Sequence, residues 1–142
     1  MFANNFNEVG TDQGRCPEEA DIYNYCKNII TRCKMEKECI IISLIYIERL
    51  WNESGICING MNWKSLVFIV LSIGSKVWDD ESYENVHFAM VFTRYTKEEI
   101  AALESIFLSL VNFNVGVKSS EYANYYFILR THAEKNKRSF PL

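Results

Sequence analysis

The chain has 142 residues, 49% apolar and 23% charged, with a formal net charge of −3, proportions that fit one compact domain rather than two or a disordered tail. The acidic balance also argues against a reader of nucleic-acid phosphates. Only two prolines occur, Pro17 and Pro141, and the interior lacks both the regular turn signals of a β-sandwich and the Gly-rich turns of a parallel α/β fold, so the chain reads as all-α.

Residues 1–15 are rich in Asn and Gly and lack the basic-then-apolar layout of a signal peptide. They are expected to form a flexible N-terminal arm, with residues 16–142 as a single domain. Phe2 stands where myristoylation needs glycine, so no membrane anchor is readable. Pro17 followed by Glu18 and Glu19 predicts a helix start, with proline in the first turn and carboxylates against the positive end of the dipole. Ile22, Cys26, Ile29, Ile30 and Cys33 then form one apolar stripe. A second helix is predicted from about Glu36 to Asn52, covered on more than one face by Ile40, Ile41, Leu44, Ile45, Ile47 and Leu50, and closed by Asn52-Glu53-Ser54-Gly55. The Asn52-Glu53-Ser54 sequon is read as chance.

The third helix, about Asn62 to Trp78, is apolar nearly all round and therefore central. Its polar members Ser65, Ser72 and Lys76 fall on one line, predicted to reach the surface as a slit. Gly74 in mid-helix predicts a close helix crossing. An acidic linker over residues 79–84 leads to a short helix, about Asn85 to Thr93, presenting Val86, Ala89 and Phe92. Thr96-x-x-Glu99 is a capping box, with Tyr95 and Ile100 placed for a hydrophobic staple. The helix it opens carries Ile100, Leu103, Ile106, Phe107, Leu110 and Phe113 as its stripe. A last helix starts near Ser119 or Ser120 with Tyr122, Tyr125, Tyr126 and Leu129 on one side, then fades into the basic cluster 134–138, read as a solvated helix end.

The five cysteines are odd in number and contain no C-x-x-C pair, which predicts reduced thiols, mostly buried, in an intracellular chain. The longest charge-free apolar runs, Cys39 to Ile47 and Ser65 to Ser75, are about half a bilayer span. His87 and His132 lie at no metal-binding spacing from the cysteines. Phosphate-loop, dinucleotide, zinc-protease and nucleophile-elbow motifs are all missing. No cofactor or metal is expected, and an interaction or regulatory domain is favoured over an enzyme. An enzyme assembled in space around His87 or His132 is the contrary reading. The 20 aromatic residues, nine Phe, eight Tyr and three Trp, exceed what a small helical core requires.

Three ordered segments carry a resemblance. Residues 42–50 (ISLIYIERL), 71–80 (LSIGSKVWDD), and Leu103-Glu104 with Phe107-Leu108 and 110–113 resemble the cyclin box. Lys76-Val77-Trp78-Asp79-Asp80, residues 119–130 and the terminal Ser139-Phe140-Pro141-Leu142 resemble, more narrowly, the single-box P/U-type branch and the cyclin Y group within it. The resemblance implies a five-helix cyclin box preceded by an additional N-terminal helix. It implies a regulatory subunit, not an enzyme, that binds and activates a cyclin-dependent serine/threonine kinase of the PCTAIRE/PFTAIRE-like or phosphate-pathway type. The alternative is a cyclin-fold interaction scaffold without kinase activation. No nucleic-acid partner is expected, on the acidic balance, and no membrane anchor is readable.

By position, the resemblance places Lys76 and Glu104 as the lysine and glutamate that grip the kinase, with Asp80 facing a basic group; Leu108 and Val111, near that pair, are expected as apolar anchors because interface energy concentrates in buried apolar residues. Independently, Glu104 sits among Ile100, Ala101, Leu108 and Val111 on the helical wheel, and a carboxylate among aliphatics needs a partner. The sequence also departs from the family. The first-helix Met-Arg-x-Ile-Leu motif is absent, Gly74 replaces the common alanine, and Glu48 holds an aspartate position whose arginine partner is missing, leaving Lys27 or Asn28 to stand in.

Overall fold

A computed structural model describes Phe6 and residues 16–135. These form six helices: α1 (Glu19–Arg32), α2 (Cys39–Ser54), α3 (Trp63–Trp78), α4 (Asn85–Val91), α5 (Lys97–Leu110) and α6 (Ser119–Lys135). No strand occurs among the described residues, so the all-α expectation holds. The basic cluster beyond Lys135 and the terminal Ser139–Leu142 segment lie outside the described residues.

α3 is the centre. Leu66 through Ser75 are all buried on this helix, and it packs against α1, α2 and α5. Its serines are not a slit to the surface, as their alignment suggested. Ser65 and Ser72 are buried, and each hydroxyl turns back on the helix: Ser72 Oγ donates to the Ile69 carbonyl at 2.9 Å and Ser65 Oγ to the Asn62 carbonyl at 3.2 Å. A serine that closes this local bond needs no water. Ser65 also donates to the carbonyl of Phe6, whose ring is wholly buried in the core although its neighbourhood reads as a mobile arm.

Gly74 marks a close crossing, as its position predicts. A Cβ there would meet Ile42 Cγ2 at 3.3 Å and the Cys39 carbonyl oxygen at 3.8 Å, so α2 and α3 approach to van der Waals contact. The aromatic surplus fills much of the space between α1, α3 and α4. Phe68 stacks on Phe92 (5.0 Å, 14°) and meets Phe88 edge-on (6.2 Å, 83°), while Tyr25 presents its edge to Trp63 at 5.2 Å. Phe88, absent from the predicted inward set of α4, is its fully buried residue.

Several boundaries move for local reasons. Pro17 lies outside α1, which is capped at Glu18, whose N–H donates to Asp21 Oδ2 at 3.0 Å. Residues 36–38 form a tight turn rather than the start of α2, with Cys39 N–H bonded to the Glu36 carbonyl. α5 begins as predicted: Glu99 N–H donates to Thr96 Oγ1 at 3.1 Å, Thr96 N–H to Glu99 Oε1 at 3.0 Å, and both Tyr95 and Ile100 are buried. It ends at Leu110, however, because Asn112 and Phe113 adopt left-handed backbones (φ 55° and 59°). That turn removes Phe113 from the stripe and leaves it 68% exposed.

The loop before α3 is tied by two asparagines. Asn59 Oδ1 accepts from Met61 N–H and Asn62 N–H, while Asn62 accepts from Asn59 N–H and donates to the Cys57 carbonyl. All five cysteines are free; Cys33 and Cys39 are buried, whereas Cys16 and Cys57 are exposed and so depart from the buried expectation.

Two outcomes test this packing. Gly74→Leu should cost about 1–3 kcal/mol in urea unfolding by overpacking the α2–α3 crossing. Gly74→Ala should stay within about 1 kcal/mol of the parent, since helix propensity offsets a single tight methyl contact. Burial pushes the Cys26 and Cys33 thiols from the ordinary 9.0 up to about 11. These thiols ionise first in the unfolded chain, so their stability is intact below about pH 9 and is lost as pH rises towards 11. Tm should therefore fall over that interval and fall less in Cys26→Ala/Cys33→Ala; an identical decline in that variant would contradict it.

Candidate functional site

The last turn of α3 carries Lys76 out of the core. Its ammonium donates to Asn85 Oδ1, the first residue of α4, at 2.6 Å and pairs with Glu104 Oε2 on α5. It also lies 5.9 Å from the centre of the Phe88 ring. Lys76 and Glu104 are both about a quarter exposed, so the pair is neither solvated nor sealed. The carboxylate that the helical wheel left among aliphatics thus finds its cation across 28 residues of sequence. Asn85, the third member, gives no sign in the periodicity, because a polar residue at a helix start looks like any other.

The surroundings of this triad are mixed. Val77 and Trp78 follow Lys76, Val86 follows Asn85, and Met90 lies one turn beyond Val86; all four are at least 40% exposed. Leu108, one turn along α5 from Glu104, is half-buried. Val111 is not a surface anchor: it is 1% exposed and belongs to the core cluster, because the turn after Leu110 folds it inward. Trp78 stacks on Tyr122 of α6 (5.4 Å, 11°), extending the apolar surface towards α6.

The two aspartates after α3 separate. Asp79 folds back, accepting from Ser75 Oγ at 2.7 Å, from the Cys39 thiol at 3.7 Å and, at 3.5 Å, from Glu36 N–H. It therefore ties the end of α3 to the start of α2. Burial first, and the Asp79 carboxylate second, hold the Cys39 thiol protonated well above its ordinary range. Asp80 is exposed and points to no such internal use.

α2 supplies a second polar network that the sequence placed one residue away. Glu48 accepts from the Tyr125 hydroxyl of α6, so its partner is neither Lys27 nor Asn28. The internal ion pair is made by Arg49 with Glu121 at 2.8 Å, and the same guanidinium donates to the carbonyls of Asn114 and Gly116. Tyr46 OH donates to the Val115 carbonyl at 2.6 Å. Tyr46 and Arg49, adjacent on one face of α2, thereby hold the α5–α6 connection.

His87 is engaged locally, its Nδ1 accepting from Glu84 N–H at 3.3 Å at the start of α4. No cluster of three or more His, Cys, Asp or Glu suited to a metal occurs among the described residues. No described helix is long and apolar enough to cross a membrane.

The quarter-exposed pair should be coupled. In a double-mutant cycle of Lys76→Ala and Glu104→Ala, urea unfolding should give an interaction energy of about 1 kcal/mol, diminished by added salt. A coupling of zero would mean that the two side chains are independently solvated.

Compared with known protein families, residues 5–115 match the model of the cyclin family. The match takes in α1 to α5, with Lys76, Asn85 and Glu104, and ends before α6; six helices with no strand among the described residues agree with a cyclin box and one further helix.

Proposed function

The chain belongs to the cyclin family, a regulatory, non-catalytic family whose members bind protein kinases, and from that premise we propose that it binds and activates a cyclin-dependent serine/threonine kinase through the corner formed by α3, α4 and α5. The observation that carries this reading is the Lys76–Glu104 pair, held by Asn85 at the surface, with exposed Val77 next to Lys76 and exposed Val86 next to Asn85 in the chain. The pair offers directional charge, and the apolar side chains offer area to bury. Interfaces combine these two elements, with energy concentrated in apolar anchors and specificity in the placed polar groups.

The kinase binds this corner only when its regulatory helix occupies the productive position. Binding then shifts the kinase towards its active state without any chemistry on this chain. With that helix in place, the kinase's own lysine–glutamate pair forms and positions the nucleotide phosphates. Leu108 serves as an apolar anchor. Asp80, exposed beyond the end of α3, meets a basic group of the kinase. The kinase is of the PCTAIRE/PFTAIRE-like or phosphate-pathway type, and the complex acts in cell-cycle or related signalling inside the cell.

The test is reconstitution with a panel of purified cyclin-dependent kinases, followed by a phosphorylation assay. At least one kinase should gain activity with the parent protein and lose most of that gain with Lys76→Ala/Glu104→Ala. The exchanged variant Lys76→Glu/Glu104→Lys, which can re-form the internal pair, should retain the parent Tm yet fail to activate. Activation by the exchanged variant at the parent level would assign the pair to folding alone. Binding without activation by the parent would favour a cyclin-fold scaffold.

A further inference from the structure

Away from that corner, α2, α6 and the loop between α2 and α3 enclose a groove of about 590 Å³. None of these elements supplies Lys76, Asn85 or Glu104. Its walls are apolar: Leu44, Ile47 and Trp51 from α2, Ile58 from the loop, and Ile128 and Leu129 from α6. Trp51 and Ile128 are 54% and 58% exposed, so the groove lies open along its length instead of closing into a cavity. The family match ends before α6, and one wall of the groove therefore belongs to the helix outside it.

One acidic side chain lines this groove. Glu48 lies on α2 between Leu44 and Trp51, fixed by the hydroxyl of Tyr125 from the opposite wall. No lysine or arginine among the described residues lines the groove to neutralise it. An occupant that is wholly apolar would remove water from this carboxylate and leave it uncompensated, which is costly. An occupant carrying a cation would instead convert the same carboxylate into a charge-assisted hydrogen bond. We propose that this groove docks a short amphipathic segment of a protein partner that bears a lysine or arginine among its apolar residues. The open shape between two helices suits a peptide laid across apolar anchors, and it leaves the α3–α5 corner free for a second protein.

Cys57 lies in the groove lining and is exposed, so its alkylation reports occupancy; Cys16, the other exposed thiol, is removed as Cys16→Ser. The probes are two leucine-rich amphipathic peptides, identical except that one carries lysine and the other glutamate within the apolar face, with laurate as a small amphiphile. The lysine peptide should protect Cys57 and bind about tenfold more weakly to Glu48→Gln, the change expected from one charge-assisted hydrogen bond. Glu48→Lys should reverse the preference towards the glutamate peptide. Tyr125→Phe removes the hydroxyl but keeps the carboxylate, so it should preserve the preference for lysine and separate charge from any shift of α6. Equal binding of both peptides, protection by laurate alone, or protection by self-association of the protein without peptide would overturn the proposal. Each of these outcomes is independent of kinase activation.

Discussion

The dry centre formed by α3 governs the rest of the molecule. A helix buried on all sides for ten consecutive residues leaves no room for unpaired polar groups, and each one on it is accounted for. Ser65 and Ser72 bond backwards to the helix carbonyls, Ser75 bonds to Asp79, and Lys64 at the first turn lies 5.6 Å from the Trp63 ring. Lys76 alone carries charge near the far end, and it emerges where α4 and α5 can supply oxygen acceptors. The Lys76–Asn85–Glu104 corner follows from burying α3: a cation leaving the core requires two neighbouring helices to meet it.

Much of this was legible from residue order. The Thr96–Glu99 box, the glycine at the α2–α3 crossing and the α1 stripe each express a local rule that tertiary packing did not override. Lys76 and Glu104 were legible as an odd pair because a carboxylate among aliphatics breaks its helix's pattern. What escaped were features set by contacts across the chain. Nothing local distinguishes Phe88 from Phe92 as the deeper ring, and a serine line looks like a slit until the i−3 carbonyls claim the hydroxyls. Val111 lies within the helical pattern, yet two left-handed residues just beyond it turn the chain and bury it.

The α2 network shows how small a sequence offset redirects a prediction. Glu48 and Arg49 are neighbours, about 100° apart on the helix, so each addresses a different part of the fold. Arg49 reaches the carbonyls after α5 and the Glu121 carboxylate, fixing where α6 begins. Glu48 faces the groove and touches α6 through Tyr125. Arg49 thus anchors α6, and Glu48 before it sets the charge of the surface that α6 creates.

The two charged features differ in how they would respond to a partner. Glu48 is exposed and lies among apolar walls, so covering it creates a demand for a cation. Lys76 and Glu104 already satisfy each other at about one-quarter exposure. A protein that covers this corner strengthens their attraction by removing water, but it must also provide acceptors and donors for whatever lone pairs and protons remain. The balance of those effects lies near zero for a well-matched partner and is strongly unfavourable for a mismatched one. For a partner bound at this corner, such a pair would contribute discrimination more than affinity, and affinity would fall to exposed apolar side chains such as Val77 and Val86. Substitution of these apolar side chains and substitution of the pair should consequently act on different quantities, the first on binding strength and the second on which partner is accepted.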